Sequence, residues 1–244
     1  MIGTLGSAGG IKLPAVNQFT ENHPGKQGAA KFFTKAEIDA TKTIAVGNMN
    51  IADMTGVGYF TALIDLQCYM NELTTVDVSK NTALEIFACG QNQITALDVT
   101  KNTKLTYLNC WGNQLTALDL TKNPTLMTLE CASNNLTTLD LSKNTALKVI
   151  HLQSNQLTAL DVCQNTAVTD LSCYMNNLTE LDVSQNTALT KLSCYMNKLT
   201  TLNLHGIPGL SDGSGPATTV AENSVTVNLS YDTQQGNTNV AVTW

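Results

Sequence analysis

The stretch Leu63-Ile-Asp-Leu-Gln-Cys-Tyr-Met-Asn71-Glu-Leu73 decides the architecture of this chain, because its pattern returns every 21 residues. Six further copies follow without an insertion, and they begin at Leu84, Leu105, Leu126, Leu147, Val168 and Leu189. The seven units fill residues 63–209, and we number the first residue of each unit as position 1. A repeat this regular predicts turns of chain that stack on one another and contact only their neighbours.

Each unit follows the pattern L-x-x-L-x-[L/C]-x-x-N-x-L, and a fixed period in the twenties built on this pattern predicts a leucine-rich repeat, right-handed solenoid. Positions 1, 4, 11, 14 and 16 are apolar, as at Leu97 and Val99, so two short extended runs should face each other across every turn. Twenty-one residues leave no space for a full helix. We therefore expect a β-dominated member of the α/β-horseshoe class, with strands on the concave face and extended or 3₁₀ segments behind.

Residues before the first full unit divide into two parts. Residues 1–33 are rich in glycine and predict an irregular lead-in. Residues 34–62 predict an N-terminal cap, in which Thr34-Lys-Ala-Glu37 forms a capping box that opens a helix through about Lys42. We expect the helix to plug the first turn with the side chains of Phe32, Phe33 and Ile38. A degenerate first repeat follows, with Met49 where the turn asparagine would be.

After residue 209 the period fails, and residues 210–244 predict a C-terminal β cap. The segments 224–231 and 238–244 alternate apolar and polar residues on either side of a polar turn at 232–237. This pattern predicts a β-hairpin that closes the exposed end of the solenoid.

Composition limits the possible functions. The chain has 13 basic residues, all of them lysine, against 19 acidic ones, so its net charge is −6. Nucleic-acid binding is not expected, because phosphate recognition favours a basic stripe and arginine forks. Charged residues are only 13% of the chain and hydrophobic residues 43%, which indicates neither disorder nor a coiled coil.

Localisation rests on two further sequence features. Apolar runs stay well short of the roughly 18 residues that a membrane span needs, so no span is expected. Residues 1–10 lack the basic start and apolar centre of a secretion signal, which leaves a cytoplasmic chain or one whose signal has been removed as alternatives.

Position 9 is asparagine in all seven units, and we interpret this column as structural. Its members are Asn71, Asn92, Asn113, Asn134, Asn155, Asn176 and Asn197. An amide both donates and accepts, so stacked asparagines can satisfy the backbone groups left open where each strand ends. Position 19 predicts a second such column, at Asn81, Asn102, Asn123, Asn144, Asn165 and Asn186.

Six of the seven cysteines fall at position 6, and they are Cys68, Cys89, Cys110, Cys131, Cys173 and Cys194. Leu152 occupies the same position in the fifth unit, so we interpret the column as small buried hydrophobes. Metal or redox chemistry is the weaker alternative, because a metal needs thiolates that converge on one point. Cys163, at position 17, is the thiol expected to be exposed.

The unit Val168-Thr-Asp-Leu-Ser-Cys-Tyr-Met-Asn-Asn-Leu-Thr-Glu-Leu-Asp-Val-Ser-Gln-Asn-Thr-Ala188 resembles the cysteine-ladder leucine-rich repeats of bacterial surface proteins, including internalin-like adhesins and Bacteroidetes surface proteins. The similarity covers about residues 34–210. It implies a bacterial binding protein that is extracellular or lies at the cell surface, although no anchor or sorting segment is recognisable in the sequence.

Outward strand positions vary from unit to unit, which favours recognition on the concave face. Aromatic side chains are frequent there, and such residues dominate interface energetics. We predict that the ligand-binding residues are Tyr69, Tyr107, Trp111, Glu130, His151, Asp170, Tyr174, Met175, Lys191, Tyr195 and Met196.

Three other interpretations of surface residues are weaker. Glu130 and His151 share position 5 of neighbouring units and allow an acid/base contact, but no nucleophile elbow, phosphate loop or metal cluster accompanies them. The threonine column at position 12 could order a regular partner such as ice, although turn hydrogen bonding explains it equally well. The Asp column at position 15, with Lys at position 18, is most simply a solvated face and only weakly indicates calcium.

The sequence therefore predicts a monomeric, non-enzymatic recognition or adhesion protein without cofactor or metal, which binds a protein or a glycan on its concave face. The alternative is a structural protein that uses the same face for self-assembly.

Overall fold

A computed structural model describes residues 34–205, 226–228 and 241–243 of the chain. Helix α1 spans Lys35–Ala40 and begins with the predicted capping box. Thr34 Oγ1 accepts a hydrogen bond from Glu37 N at 3.2 Å, and Glu37 Oε2 accepts one from Thr34 N at 2.8 Å. The helix ends two residues before the predicted Lys42, because Thr41 already has an extended backbone. Ile38 packs into the apolar core, whereas Phe32 and Phe33 lie outside the described residues.

Strand β1 (Thr43–Ala45) opens the lead coil, residues 41–62, which also contains a 3₁₀ turn at Val57–Tyr59. The lead coil has Met49 in place of an asparagine, and Asn71 of the next unit explains why this is tolerated. Asn71 Oδ1 accepts hydrogen bonds from Met49 N at 3.0 Å and Ile51 N at 2.9 Å. Each asparagine serves the turn that precedes it, so the first turn does not need one of its own for this bond.

Each of the seven units forms one turn, which we call coils 1–7, and each contributes a three-residue strand at positions 3–5. These strands are β2 (Asp65–Gln67), β3 (Ile86–Ala88), β4 (Tyr107–Asn109), β5 (Thr128–Glu130), β6 (Val149–His151), β7 (Asp170–Ser172) and β9 (Lys191–Ser193). With β1 and β11 (Thr226–Asn228) they form a nine-stranded parallel sheet. The register pairs identical positions of neighbouring coils, as for Leu108 with Leu129.

A second sheet lies at positions 13–15 and contains β8 (Glu180–Asp182), β10 (Thr201–Asn203) and β12 (Ala241–Thr243). In coils 1–5 the same positions form neither helix nor paired strand. Their apolar side chains still point inward, so that Leu97 and Val99 are buried. The inward direction of these apolar side chains is as predicted, but among the described residues the second run forms strands only in coils 6 and 7 and in β12.

The predicted C-terminal hairpin is wrong in its pairing. Strand β11 adds in parallel to β9, and β12 adds in parallel to β10, so the two strands belong to different sheets. Coil 7 has two strand edges to be covered, that of β9 in one sheet and that of β10 in the other. A hairpin whose two strands paired with each other could extend only one of these sheets.

Asparagine at position 9 makes bonds with both ends of its amide. Asn92 Nδ2 donates to Cys68 O and Cys89 O, each at 3.0 Å, and its Oδ1 accepts from Leu73 N at 2.9 Å. Position 19 differs, because Asn102 Nδ2 donates to Val78 O and Asn81 O while its Oδ1 is buried without a protein partner. The second column therefore uses only the donor half of the amide.

The cysteine column lies inside the sheet. All six thiols at position 6 are fully buried and outside any disulfide, and Leu152 is equally buried in the same position. Burial raises the pKa of the Cys68 thiol to about 12. The column therefore packs as neutral apolar groups, whereas Cys163 is exposed.

Candidate recognition surface on the strand face

The outward side chains at positions 3, 5 and 7 of coils 1–7 form a continuous surface, which we call the strand face. Each strand buries its central residue, as in β4, where Leu108 is buried between the partly exposed Tyr107 and Asn109. The flanking residues are at least partly exposed except for Ala88 in β3 and Ser172 in β7, which are buried. Successive strands repeat this alternation at one parallel-strand spacing, about 4.8 Å. The repeat therefore arranges the variable positions in three columns.

Tyr174 and Tyr195 form a cluster at the C-terminal end of the strand face. Their rings stack with centroids 4.4 Å apart and planes inclined by 7°. Met175 beside them is 42% exposed, and its Sδ lies 3.6 Å from the Ser154 hydroxyl oxygen. Met196 is half-buried in the next coil. Four of the predicted ligand-binding residues are thus brought together.

Asp170 lies between His151 and Lys191 on the same part of the face. His151 Nε2 lies 3.6 Å from Asp170 Oδ1, and Lys191 Nζ lies 3.4 Å from Asp170 Oδ2. Glu130 makes a different contact, because its Oε2 accepts a hydrogen bond from Asn109 Nδ2 at 2.7 Å. Glu130 and His151 thus turn toward opposite neighbours, and the hypothesis of an acid/base contact between them is not supported.

Trp111 reaches from coil 3 across to coil 4. Its Nε1 donates a hydrogen bond to Ser133 Oγ at 3.2 Å, while 38% of the residue stays exposed. Ala132, which lies next to Ser133, is only 2% exposed although it occupies an outward position. Tyr107, in the same coil as Trp111, is half-buried, and this burial raises the pKa of its phenol. The hydrogen bond to Ser133 therefore fixes the Trp111 indole in place, and the exposed part of the residue presents a solvent-accessible surface.

Tyr69 lies apart from these groups, at the N-terminal end of the strand face, and is 40% exposed. Its ring covers Gly47 of the lead coil so closely that a Cβ at residue 47 would lie 2.7 Å from the ring. A glycine is required there for the tyrosine to keep this orientation.

Position 8 has a backbone conformation that the sequence pattern does not predict. Its residues have a left-handed backbone with φ between 51° and 66°, and they are Met70, Gln91, Gly112, Ser133, Ser154, Met175 and Met196. Only Gly112 among them signals such a backbone in the sequence. The left-handed residue turns the chain out of the strand and places Met70 and Met175 at the rim of the strand face, where both are exposed.

The opposite face, at positions 13, 15 and 17, is regular by comparison. Asp119 Oδ1 accepts hydrogen bonds from Thr121 N at 2.9 Å and from Thr121 Oγ1 at 2.7 Å, and these bonds lower the pKa of the Asp119 carboxyl. Asp77, Asp98 and Asp140 also have a lowered pKa from the same kind of contact. Shallow open depressions occur on this side, one of them lined by Asp161, Cys163, Glu180 and Asp182.

Within the described ranges, histidine, cysteine and acidic side chains form no group of three or more that could hold a metal ion. The described part of the chain also contains no helix long and apolar enough to cross a membrane.

Comparison with known proteins identifies the fold. No family profile matches the sequence, and no curated protein matches it. Among solved structures, internalin C2 of Listeria monocytogenes is 20% identical, with 80% of this chain and 84% of that chain aligned at a TM-score of 0.66. A leucine-rich repeat protein of Leptospira interrogans is 22% identical, with 67% and 45% aligned at a TM-score of 0.63. This chain is thus a leucine-rich repeat solenoid.

The functional domain of InlJ from Listeria monocytogenes, which includes a cysteine ladder, is 34% identical over 69% of this chain and 50% of that one, with a TM-score of 0.40. The chain spans about half the length of this domain and of the Leptospira protein. The chain is thus similar in fold to internalin structures, and its own six buried cysteines at position 6 form a cysteine ladder.

Proposed function

We propose that this chain is a non-enzymatic bacterial recognition protein, secreted or held at the cell surface, which binds a protein or glycan ligand on its strand face. The observation that carries the proposal is the contrast within each coil. Side chains that hold the coils together are nearly constant, whereas those on the strand face differ from coil to coil and include exposed Tyr69 and Trp111.

Aromatic anchors support this proposal because they supply most of the free energy in many interfaces. Trp111 is oriented by its bond to Ser133, and Tyr174 and Tyr195 hold each other in a stack, so little side-chain entropy would be lost when a ligand covers them. The resemblance to internalins supports the surface location and the adhesive role.

The test uses a triple variant, Trp111→Ala with Tyr174→Ala and Tyr195→Ala, on arrays of extracellular-matrix proteins and of glycans. A matched control, Thr75→Ala with Thr138→Ala and Glu180→Ala, removes three exposed side chains from the opposite face. We expect an array member that binds the parent chain and the control but not the triple variant. Circular dichroism spectra of all three chains should agree.

Equal binding by the triple variant would refute the strand face as the site. Loss of binding by the control alone would move the site to the opposite face.

A further inference from the structure

Charged side chains are segregated along the strand side, which we define as positions 2–10 of each coil. Coils 1–4 carry four carboxylates and no lysine there, namely Asp65, Glu72, Glu85 and Glu130. Coils 5–7 carry three lysines and one carboxylate there, namely Lys148, Lys191, Lys198 and Asp170. The strand side is therefore acidic at its N-terminal half and basic at its C-terminal half.

Contacts within each half preserve this difference. In coils 1–4 the carboxylates of Asp65 and Glu130 accept hydrogen bonds from the neutral amides of Gln67 and Asn109. These bonds orient the carboxylates without cancelling their charge. In coils 5–7 the one carboxylate, Asp170, pairs with Lys191, which remains 70% exposed, so the net positive charge of this half is carried by Lys148 and Lys198.

The segregation is not a consequence of overall composition, because the other side of the solenoid shows the reverse order. In coils 1–4 every Asp at position 15 is followed by a Lys at position 18, as for Asp98 and Lys101. In coils 5 and 6 the lysine is replaced by Gln164 and Gln185, and Glu180 adds a further carboxylate. The lysines of coils 1–4 thus lie on the other side of the solenoid, whereas the lysines of coils 5–7 lie on the strand side.

The distance between the two halves of the strand side decides whether a ligand meets two separate charged patches or one averaged electrostatic field. The centres of coils 1–4 and of coils 5–7 are three and a half coils apart, which is about 17 Å at the spacing of parallel strands. Screening in physiological salt acts over about 8 Å. The two halves therefore present separate acidic and basic patches.

We propose that the ligand is a protein, and that it docks in one orientation, with basic side chains over coils 1–4 and acidic side chains over coils 5–7. This inference rests on the proposed function, since it assumes that the strand face binds a ligand. A protein surface carries both signs of charge. A neutral glycan would sense neither patch, and an acidic glycan would match only coils 5–7 and be repelled by coils 1–4.

The experiment uses synthetic peptides as probes. One peptide carries a lysine-rich block, a glycine–serine spacer and a glutamate-rich block, and a scrambled peptide has the same composition with alternating charges. We expect the block peptide to bind the chain at least tenfold more tightly than the scrambled one, measured by fluorescence anisotropy at low salt. Orientation is measured in a Trp244→Phe background, where Trp111 in the acidic half is the remaining tryptophan. A quencher on the lysine-rich end should quench Trp111 more than one on the glutamate-rich end.

Two glutamates offer a matched pair of variants, because Glu85 and Glu180 are both exposed but lie on opposite sides of the solenoid. Glu85→Lys, which changes the net charge by the same amount as Glu180→Lys, should weaken binding of the block peptide about fivefold. Glu180→Lys should leave it within twofold.

Equal binding of the block and scrambled peptides, equal quenching from both ends, or an equal loss in Glu180→Lys would each overturn the proposal. So would tighter binding of a sulfated glycan than of the block peptide, or salt-sensitive self-association of the chain in sedimentation, which would make a glycan or a second copy the occupant. If the array experiment finds a ligand on the strand face but the block and scrambled peptides bind equally, the proposed orientation of the ligand fails and the proposed function stands.

Discussion

Two columns of side chains that lie two residues apart in every coil show how this molecule separates scaffold from surface. Position 9 is asparagine throughout, because its amide must satisfy carbonyls and an amide hydrogen in two coils at once, as Asn113 does for Cys89 O, Cys110 O and Ile94 N. Position 7 ranges from Gly90 to Trp111. A position keeps the same residue in every unit where its side chain bonds to a neighbouring coil, and positions without such bonds are free to vary.

The largest effect expected from disturbing this contrast is on the position 9 column. Asn113→Ala leaves two carbonyls and one N–H without their side-chain partner, so we expect the free energy of unfolding to fall by about 3 kcal/mol. Asn123→Ala, at position 19, should cost about 2 kcal/mol, because the Oδ1 of Asn123 has no protein partner to leave behind. Urea unfolding of both variants is the measurement. An equal or larger loss in Asn123→Ala would contradict the distinction between the two columns.

Cysteines provide the next comparison. Cys131→Ser places a hydroxyl in a fully buried apolar column, and we expect a loss of about 2 kcal/mol. Cys163→Ser, at an exposed position, should change stability by less than about 0.5 kcal/mol. Titration with a thiol reagent provides an independent check. The native chain should release the signal of one thiol, and the unfolded chain that of all seven. Fast reaction of more than one native thiol would show that the ladder is accessible.

The left-handed residues at position 8 predict effects of opposite sign in neighbouring coils. Gln91, at φ 51°, should gain about 1 kcal/mol of stability when replaced by glycine. Gly112, at φ 66°, should lose about 1 kcal/mol when replaced by alanine, whose Cβ would also lie 3.3 Å from Gln91. Thermal unfolding midpoints of the two variants should therefore move in opposite directions. Shifts of the same sign would indicate that this backbone conformation is not what limits position 8.

The smallest effect is expected on the opposite face and depends on pH. Hydrogen bonds from Thr121 lower the pKa of Asp119 in the folded state. A lowered pKa contributes stability above the unfolded value of about 3.9, and this contribution is lost as the pH falls through the folded pKa. Asp119→Asn should therefore be slightly less stable than the parent at neutral pH and equal to it in acid. A difference that persists unchanged into acid would assign the effect to packing.

The sequence was a good guide wherever a physical requirement repeats in every coil. The buried leucines, the cysteine column and the donor bonds of both asparagine columns follow from periodicity and from the need to pair buried polar groups. It was a poor guide where the requirement occurs once. The C-terminal strands look like a hairpin because two alternating segments flank a turn, but the edges they meet belong to two different sheets. The left-handed backbone at position 8 could not be predicted, because Met70 and Met175 are not residues that indicate such a backbone.

The candidate site shows the same division. The outward direction of positions 3, 5 and 7 follows from the alternation of a strand, so the exposed face could be predicted. The partners of individual side chains could not, because Glu130 has a choice between Asn109 on one neighbouring strand and His151 on the other. Such a choice depends on rotamers, which the period of a repeat does not determine.

The bonds of the asparagine column also have a consequence for how this protein can change in evolution. Every asparagine at position 9 of coils 2–7 completes the coil before it, across the same interval of 19 residues, as from Asn92 to Leu73 and from Asn176 to Leu157. Duplication or loss of one whole 21-residue unit therefore leaves no amide and no carbonyl without a partner, whereas a partial unit would orphan several. The length of the strand face can grow or shrink only in steps of one strand, and each step adds three outward side chains that selection can alter independently of the scaffold.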